Sequence, residues 1–252
     1  MKKSLNIVIP LAGAGLSFIK TGYSFPKPLI DINGKPMIQA VIENLKPKTA
    51  HKFILICKAE HYEKYALYQT FNNAAGANYE VVKLYSPTKG ATCAVLTAID
   101  YINNENELII ANADQLIDIK LDNFIKFARK NKVDGLLMTF ESNHPRWSYA
   151  LTDKKGNVTQ VAEKRVISNN ATVGIYYFKT GRLFVESATK MIDKDITVNN
   201  EFFVCPVYNE LILSKRHVMI WPIQNSKMHS LGTPEDLHEY LREAQKRKGA
   251  RK

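Results

Sequence analysis

The stretch from Asn6 to Ile38, NIVIPLAGAGLSFIKTGYSFPKPLIDINGKPMI, constrains the fold more than any other part of the chain. Ile7, Val8 and Ile9 are a β-branched run of the kind that fills a strand buried on both faces. Leu11, Ala12, Gly13, Ala14 and Gly15 follow at once, and the two glycines let the backbone turn tightly and approach a ligand with no Cβ in the way. Exposed backbone N–H groups in such a turn cradle phosphate oxygens. Farther on, Pro26 and Pro28 restrict the backbone around Lys27, so its ammonium is held as a point charge where a polyphosphate would lie. A strand, a glycine turn, a stiffened lysine and a helix start, in that order, predict a site for a nucleoside triphosphate.

The amino terminus admits a second reading as a secretory signal, since Lys2 and Lys3 precede an apolar run that ends near small residues. Asn6 and Pro10 interrupt that run, no small-x-small cleavage pattern follows, and cutting here would discard the glycine turn. The segment is therefore read as part of the fold. No apolar run approaches the length of a bilayer span, which predicts no membrane insertion. Cys57, Cys93 and Cys205 are odd in number, widely separated and without metal-ligand spacing, so they read as small buried hydrophobes and favour a cytoplasmic location.

With 252 residues and 45% hydrophobic content, the chain can build one sizeable core, and a single α/β domain over 1–252 is expected. Apolar β-rich runs at Leu5 to Leu11, Phe53 to Cys57, Tyr79 to Leu84 and Leu108 to Asn112 alternate with helical patterns at Met37 to Leu45, Glu60 to Phe71 and Ala91 to Ile102. That alternation predicts parallel βαβ units in a Rossmann-like, mainly parallel sheet flanked by helices. It sets Gly13, Gly15, Lys89 and Asp114 along one sheet edge, where open α/β folds bind ligands. After a helix near Leu121 to Lys130, the runs Gly135 to Phe140, Tyr149 to Thr152, Val158 to Ala162 and Thr172 to Phe178 are separated by short polar turns, which predicts a smaller antiparallel part. The expected division is a nucleotide-binding half, 1–118, and an acceptor-binding half, 119–252.

The net charge of +11 admits nucleic acid, an anionic surface or acidic small substrates as partners. The densest basic cluster, Lys246, Arg247, Lys248, Arg251 and Lys252, follows a helix and has no aromatic interleaving, so it reads as a solvated terminus and nucleic-acid binding is not expected. In IIANADQLID, Asp114 stands just beyond a buried strand, where one carboxylate can hold Mg²⁺ against substrate phosphates or, alternatively, cap a turn. Tyr149, after Arg146 and Trp147, reads as an acceptor wall or as core. Gly174 signals close approach of a ligand or of another segment. His61, His144, His217 and His229 show no partner pattern for zinc or nucleophilic chemistry.

The glycine turn followed by FPKPLIDINGKPMI resembles the signature of nucleotidyltransferases that make sugar nucleotides and related activated head groups. The resemblance implies a glycosyltransferase-A-like fold, a triphosphate donor, a phosphorylated small-molecule acceptor and Asp114 as principal metal ligand. It also implies that Thr88, Lys89, Gly90 and Ala91, in SPTKGATCAVLTA, lie near the nucleobase or ribose. Glu163 and Lys164 resemble a Glu-Lys element that contacts the acceptor and its phosphate, while Asn199, Asn200 and Glu201 match a position that holds acceptor polar groups. Two places depart from the pattern: Ser17 stands where relatives carry an arginine, and Ser230, in MHSLGTPEDL, stands where they carry a second metal aspartate. Asp118, Glu163, Glu201 or water would complete the shell instead. Gly232, Thr233 and Pro234 keep the family ending, with Thr233 as helix N-cap, Pro234 at the first helical position and Asp236 at the third.

Within that family, AGAG, PTKGA and NADQ look most like capsule-locus cytidylyltransferases, which implies CTP as donor and L-glutamine phosphate as acceptor. A sugar 1-phosphate with UTP, GTP or dTTP is the alternative. A glycosyltransferase would need a metal-holding acidic pair separated by one residue, whereas Asp114 is flanked by Ala113 and Gln115, with Asn112 and Leu116 beyond. A non-enzymatic, basic polyanion-binding module is the remaining rival.

Overall fold

The structure is a computed structural model that describes residues 4–13 and 15–249; Lys2, Lys3, Ala14, Arg251 and Lys252 lie outside the described residues, as does the side chain of Lys248. Nine strands form the central sheet: β1 (Leu5–Pro10), β2 (His51–Lys58), β3 (Tyr79–Leu84), β4 (Glu107–Ala111), β5 (Gly135–Glu141), β6 (Ser148–Thr152), β7 (Val158–Glu163), β8 (Asn170–Phe178) and β9 (Val218–Pro222). Their order is β7-β6-β8-β4-β1-β2-β3, with β5 paired to β8 and β9 to β5. The strands β4, β1, β2 and β3 run parallel, while β8 runs antiparallel to β4 and β5. The mixed, mainly parallel sheet is thus as expected, and its antiparallel members fall in the second half of the chain.

Alternation along the strands supplies both layers of core. On β1, Leu5, Ile7 and Ile9 join one cluster with Phe53, Leu55 and Ile109, covered by helices Met37–Leu45, Leu67–Ala75 and Leu121–Lys130. Val8 joins the other with Ile54, Ile56 and Ile110, under helices Gly181–Asp193 and Val207–Leu213. Burial on both faces explains why the inner parallel strands read as mostly apolar runs, while β3 at the sheet edge is only half-buried.

Several expected elements are corrected. The helix expected from Glu60 to Phe71 is two, Ala59–Lys64 and Leu67–Ala75, broken where Ala66 turns to φ 48°. The one expected from Ala91 to Ile102 divides into Ala91–Leu96 and Ile99–Ile102. The Phe202 backbone is hydrogen-bonded to Lys89 and Thr92, and the helix that follows spans Val207–Leu213. Helix Gly181–Asp193, capped by the Thr180 side chain, and strand β9 have no counterpart in the sequence reading. Neither does a two-stranded ribbon that pairs Gln115–Ile117 with Met228–Ser230. Among the described residues, no helix is long and apolar enough to cross a membrane.

Candidate active site

The carboxyl ends of β1 and β4 are neighbours, since Val8 stands opposite Ile110 in parallel register. Three residues beyond each end lie Gly13 and Asp114, so the topology alone brings the glycine turn to the aspartate. Leu11 is buried and its N–H donates to Ile56 O, which anchors the turn; where a side chain would stand on Gly13 there is open space. Gly15 adopts φ +62°, and a Cβ there would lie 3.1 Å from Lys27 Cβ. The turn is therefore closed against the lysine, which opens a short 3-10 segment, Lys27–Leu29, between Pro26 and Pro28.

The Lys27 ammonium donates to Asp114 Oδ2 at 2.6 Å and to the Gly232 carbonyl at 2.9 Å, and it lies 5.5 Å from the ring centre of the buried Phe18. Asp114 is fixed in turn by its neighbours. Asn112 N–H and the Gln115 side-chain amide both donate to Gly174 O at 2.9 Å, and Leu231 N–H donates to Asp114 O at 2.8 Å. Gly174 sits at φ +87°, where a Cβ would collide with the Asn112 amide and lie 2.6 Å from Gln115 Oε1. The close approach at Gly174 is thus made by the Asn112–Gln115 segment.

Behind Gly232, Ser230 Oγ accepts from Gly232 N–H at 3.2 Å and donates to Asp236 Oδ2 at 2.7 Å. Arg146 Nη1 grips both oxygens of that carboxylate, at 3.0 and 3.2 Å. Thr233 caps the helix Pro234–Gly249 as expected, its Oγ1 accepting from Asp236 N–H. The Gly232 carbonyl and the Asp236 carboxylate are not expected at the site, although the resemblance places position 230 there. Their only signal in the sequence is the serine where the resemblance implies an aspartate.

A divalent cation on a single carboxylate, completed by phosphate oxygens and water, suits Mg²⁺, and Asp114 offers such a carboxylate beside the glycine turn. Asp118 and Glu163 are committed to other side chains. Asp118 accepts from His229 Nε2 at 3.0 Å and from Arg247 at 2.9 Å; burial pushes its carboxyl pKa up, but these two donors outweigh that and hold it below the usual range. Glu163 accepts from Ser148 Oγ, and burial raises its carboxyl pKa. Glu201 is exposed and bridges to Val198 through its backbone. No cluster of three or more His, Cys, Asp or Glu side chains is present among the described residues.

A second group of expected residues meets around Phe202 and Phe203. Gly90 adopts φ +100°, and a Cβ there would lie 2.6 Å from the backbone N and O of Phe202. Phe202 N–H donates to Lys89 O, Thr92 N–H to Phe202 O, and Thr88 Oγ1 to Gly90 O. Ala91 then begins the helix Ala91–Leu96. Lys164, at φ +52°, carries its ammonium 4.6 Å from the Phe203 ring centre, and Asn200 and Glu201, shortly before Phe203 in the chain, are exposed. The Lys89 ammonium points to Asp195, at 3.4 Å, and to the Phe202 ring.

Tyr149 is a correction: it is fully buried and its hydroxyl donates to His144 O at 2.7 Å, so it is core and not a wall of the acceptor site. Arg146 and Trp147 instead line a cavity of about 850 Å³ together with Ser230, Asp236 and Tyr240. The thiols of Cys57, Cys93 and Cys205 are all pushed up by burial, that of Cys57 to about 12, which fits their reading as hydrophobes.

The family model described as "Nucleotidyl transferase" matches residues 8–210. The chain is 23% identical over 240 residues to the UTP–glucose-1-phosphate uridylyltransferase AglF of Haloferax volcanii, covering 93% of this chain and 94% of that protein. It is 26% identical over 178 residues to the bifunctional protein GlmU of Methanocaldococcus jannaschii; the match takes in 69% of this chain, which spans only 40% of the length of that relative. The fold is like that of a nucleoside-diphosphate-sugar pyrophosphorylase from Vibrio cholerae, with a TM-score of 0.80 at 22% identity over 94% of this chain and 99% of that one.

Proposed function

The chain belongs to the nucleotidyl transferase family, and from that footing we propose that it transfers the nucleotidyl group of a triphosphate to the phosphate of a small-molecule acceptor, releasing pyrophosphate. The observation that carries this reading is the contact of Lys27 with Asp114 at 2.6 Å beside the glycine turn. A phosphate monoester is mostly dianionic near neutral pH, its second pKa being about 6, so it attacks the α-phosphorus without a general base. The protein has to align the two reactants and balance charge. The glycine turn offers backbone N–H groups to the triphosphate, and Lys27 supplies a positive charge held in place before substrate arrives. Asp114 is the residue that would hold Mg²⁺, which when bound neutralises charge across the phosphates. Lys164, Glu163, Asn200 and Glu201 form the acceptor side, and Thr88 to Ala91 the nucleoside side.

For the substrates, the likeness of AGAG, PTKGA and NADQ to capsule-locus enzymes favours CTP with L-glutamine phosphate. A sugar 1-phosphate with UTP is the second reading, favoured by the similarity to AglF over nearly the whole chain. The deciding experiment is Mg²⁺-dependent pyrophosphate release with each of the four common triphosphates against L-glutamine phosphate and a panel of sugar 1-phosphates. Release that requires CTP and L-glutamine phosphate supports the first pair, and release with UTP and a sugar 1-phosphate the second. No release from any pair, with triphosphate still bound, overturns the transfer reading in favour of a glycosyltransferase.

A further inference from the structure

We infer that Ser230 is a positioning residue for Lys27, acting through the Gly232 carbonyl and itself held by Asp236 and Arg146. Its catalytic consequence rests on the transfer reading above, but its structural content does not. The chain of contacts is continuous: Arg146 Nη1 to Asp236, Ser230 Oγ to Asp236 Oδ2, Gly232 N–H to Ser230 Oγ, and Lys27 Nζ to Gly232 O. A hydroxyl is the group this position needs, because it donates to one partner and accepts from another at once. A carboxylate at 230 could accept from Gly232 but not donate to Asp236. It would also add a third negative charge to a crowded place, since a Cβ built on Gly232 lies 3.5 Å from Asp236 Oδ2 and 3.8 Å from Asp114 Oδ2.

The arrangement also explains the Lys27 geometry. Of the three donors on its ammonium, one meets Asp114 and one meets Gly232, which leaves one for a phosphate oxygen. The turn that presents the Gly232 carbonyl is tied on one side by Leu231 N–H to Asp114 O and by the pairing of Ser230 with Gln115. On the other side Thr233 ties it to the helix, its Oγ1 accepting from Asp236 N–H and its carbonyl from Leu237 N–H, while the Ser230 hydroxyl alone joins the Gly232 amide to the Asp236 carboxylate among the described residues. Asp236 is well suited to anchor it, its side chain being 12% exposed and gripped at both oxygens by an arginine that itself stacks 4.3 Å from the Trp147 ring. Removing the serine hydroxyl therefore frees the Gly232 amide and lets its carbonyl drift from the lysine.

The test is competitive acylation of the full chain with trace acetic anhydride, read at Lys27 by peptide mass spectrometry, with Lys35, paired to Glu43, as internal reference. Ser230→Ala is expected to raise Lys27 labelling at least fivefold relative to Lys35, and Ser230→Thr, which keeps the hydroxyl, to restore the wild-type ratio. An unchanged ratio in Ser230→Ala, with wild-type circular dichroism, overturns the proposal. In the pyrophosphate assay, Ser230→Ala should lower kcat at least tenfold with little change in acceptor KM, and should cost nothing further in a Lys27→Ala background. Additive losses in the double variant overturn it too. If no substrate pair supports release, the transfer reading fails while the labelling ratio still decides the placement of Lys27.

Discussion

The Lys27 ammonium and the Asp114 carboxylate, 87 residues apart in sequence, meet at 2.6 Å with side chains only 18% and 31% exposed. Each thereby holds the other in place, and the Gly232 carbonyl from a third segment completes the contact. A charged pair this sheltered is held in one arrangement, as preorganised electrostatic groups are.

Lys27→Ala should lower kcat/KM on the order of 10²-fold or more, by analogy with other preorganised electrostatic groups. Lys27→Arg should not restore it, because a planar guanidinium cannot replace a compact ammonium between Asp114 and Gly232. Steady-state kinetics of pyrophosphate release would measure both, and a variant with wild-type turnover would sink the assignment.

Asp114→Ala should cost at least as much as Lys27→Ala, and raising Mg²⁺ should not recover the loss, since Asp118, Glu163 and Asp236 are each engaged with other side chains. A Mg²⁺ titration of the variant checks this: recovery at high metal would show that another group holds the ion.

Gly90→Ala should destabilise the fold by about 1–3 kcal/mol, because an L side chain is strained at φ +100° and its Cβ would press on the Phe202 backbone at 2.6 Å. Equilibrium urea unfolding reads the stability. Triphosphate affinity should weaken alongside it, as the Thr88 to Ala91 loop shifts.

Glu163 gives a pH signature. Burial raises its carboxyl pKa in the folded state, so between the unfolded and folded values the native state binds more protons and stability falls as pH rises through that window. Glu163→Gln should therefore melt higher than wild type above the window, and the difference should vanish at lower pH, where both side chains are neutral. Melting temperatures across the range test it; a pH-independent difference would contradict it.

Arg129→Ala should destabilise by about 3–5 kcal/mol while leaving the activity of the folded fraction intact. Arg129 Nε donates to Glu107 Oε1 at 2.9 Å, and Tyr177 OH donates to the same oxygen, but Glu107 is 5% exposed and would be left with its charge uncompensated. Denaturation and specific activity, measured together, separate the two effects.

Lys27 and Asp114 were legible in the sequence because each sits in a local string whose chemistry is self-contained: two prolines about a lysine, and a carboxylate just past a buried strand. The inner parallel strands were legible because burial on both faces leaves them mostly apolar, whereas edge strand β3 carries Glu80 and Lys83. Tyr149 was not, since a strand residue in SYALT can face either way and only the His144 carbonyl decides. Nor was the break at Ala66, where a non-glycine residue takes φ 48° under tertiary constraint. Ser230 and Asp236 enter the site through pairing of residues 115–117 with 228–230, a relationship that no local pattern encodes.

That ribbon has a consequence for how the molecule is made. β1, β2, β3 and β4 all precede residue 112, so a chain emerging from the ribosome can assemble the parallel part of its sheet early. Gly232 and Met228–Ser230 arrive more than a hundred residues after Asp114, and until they do Lys27 lacks one of its two acceptors. Nascent polypeptides halted before the ribbon closes would carry the parallel strands without the Lys27–Gly232 contact, so that contact is acquired late in translation.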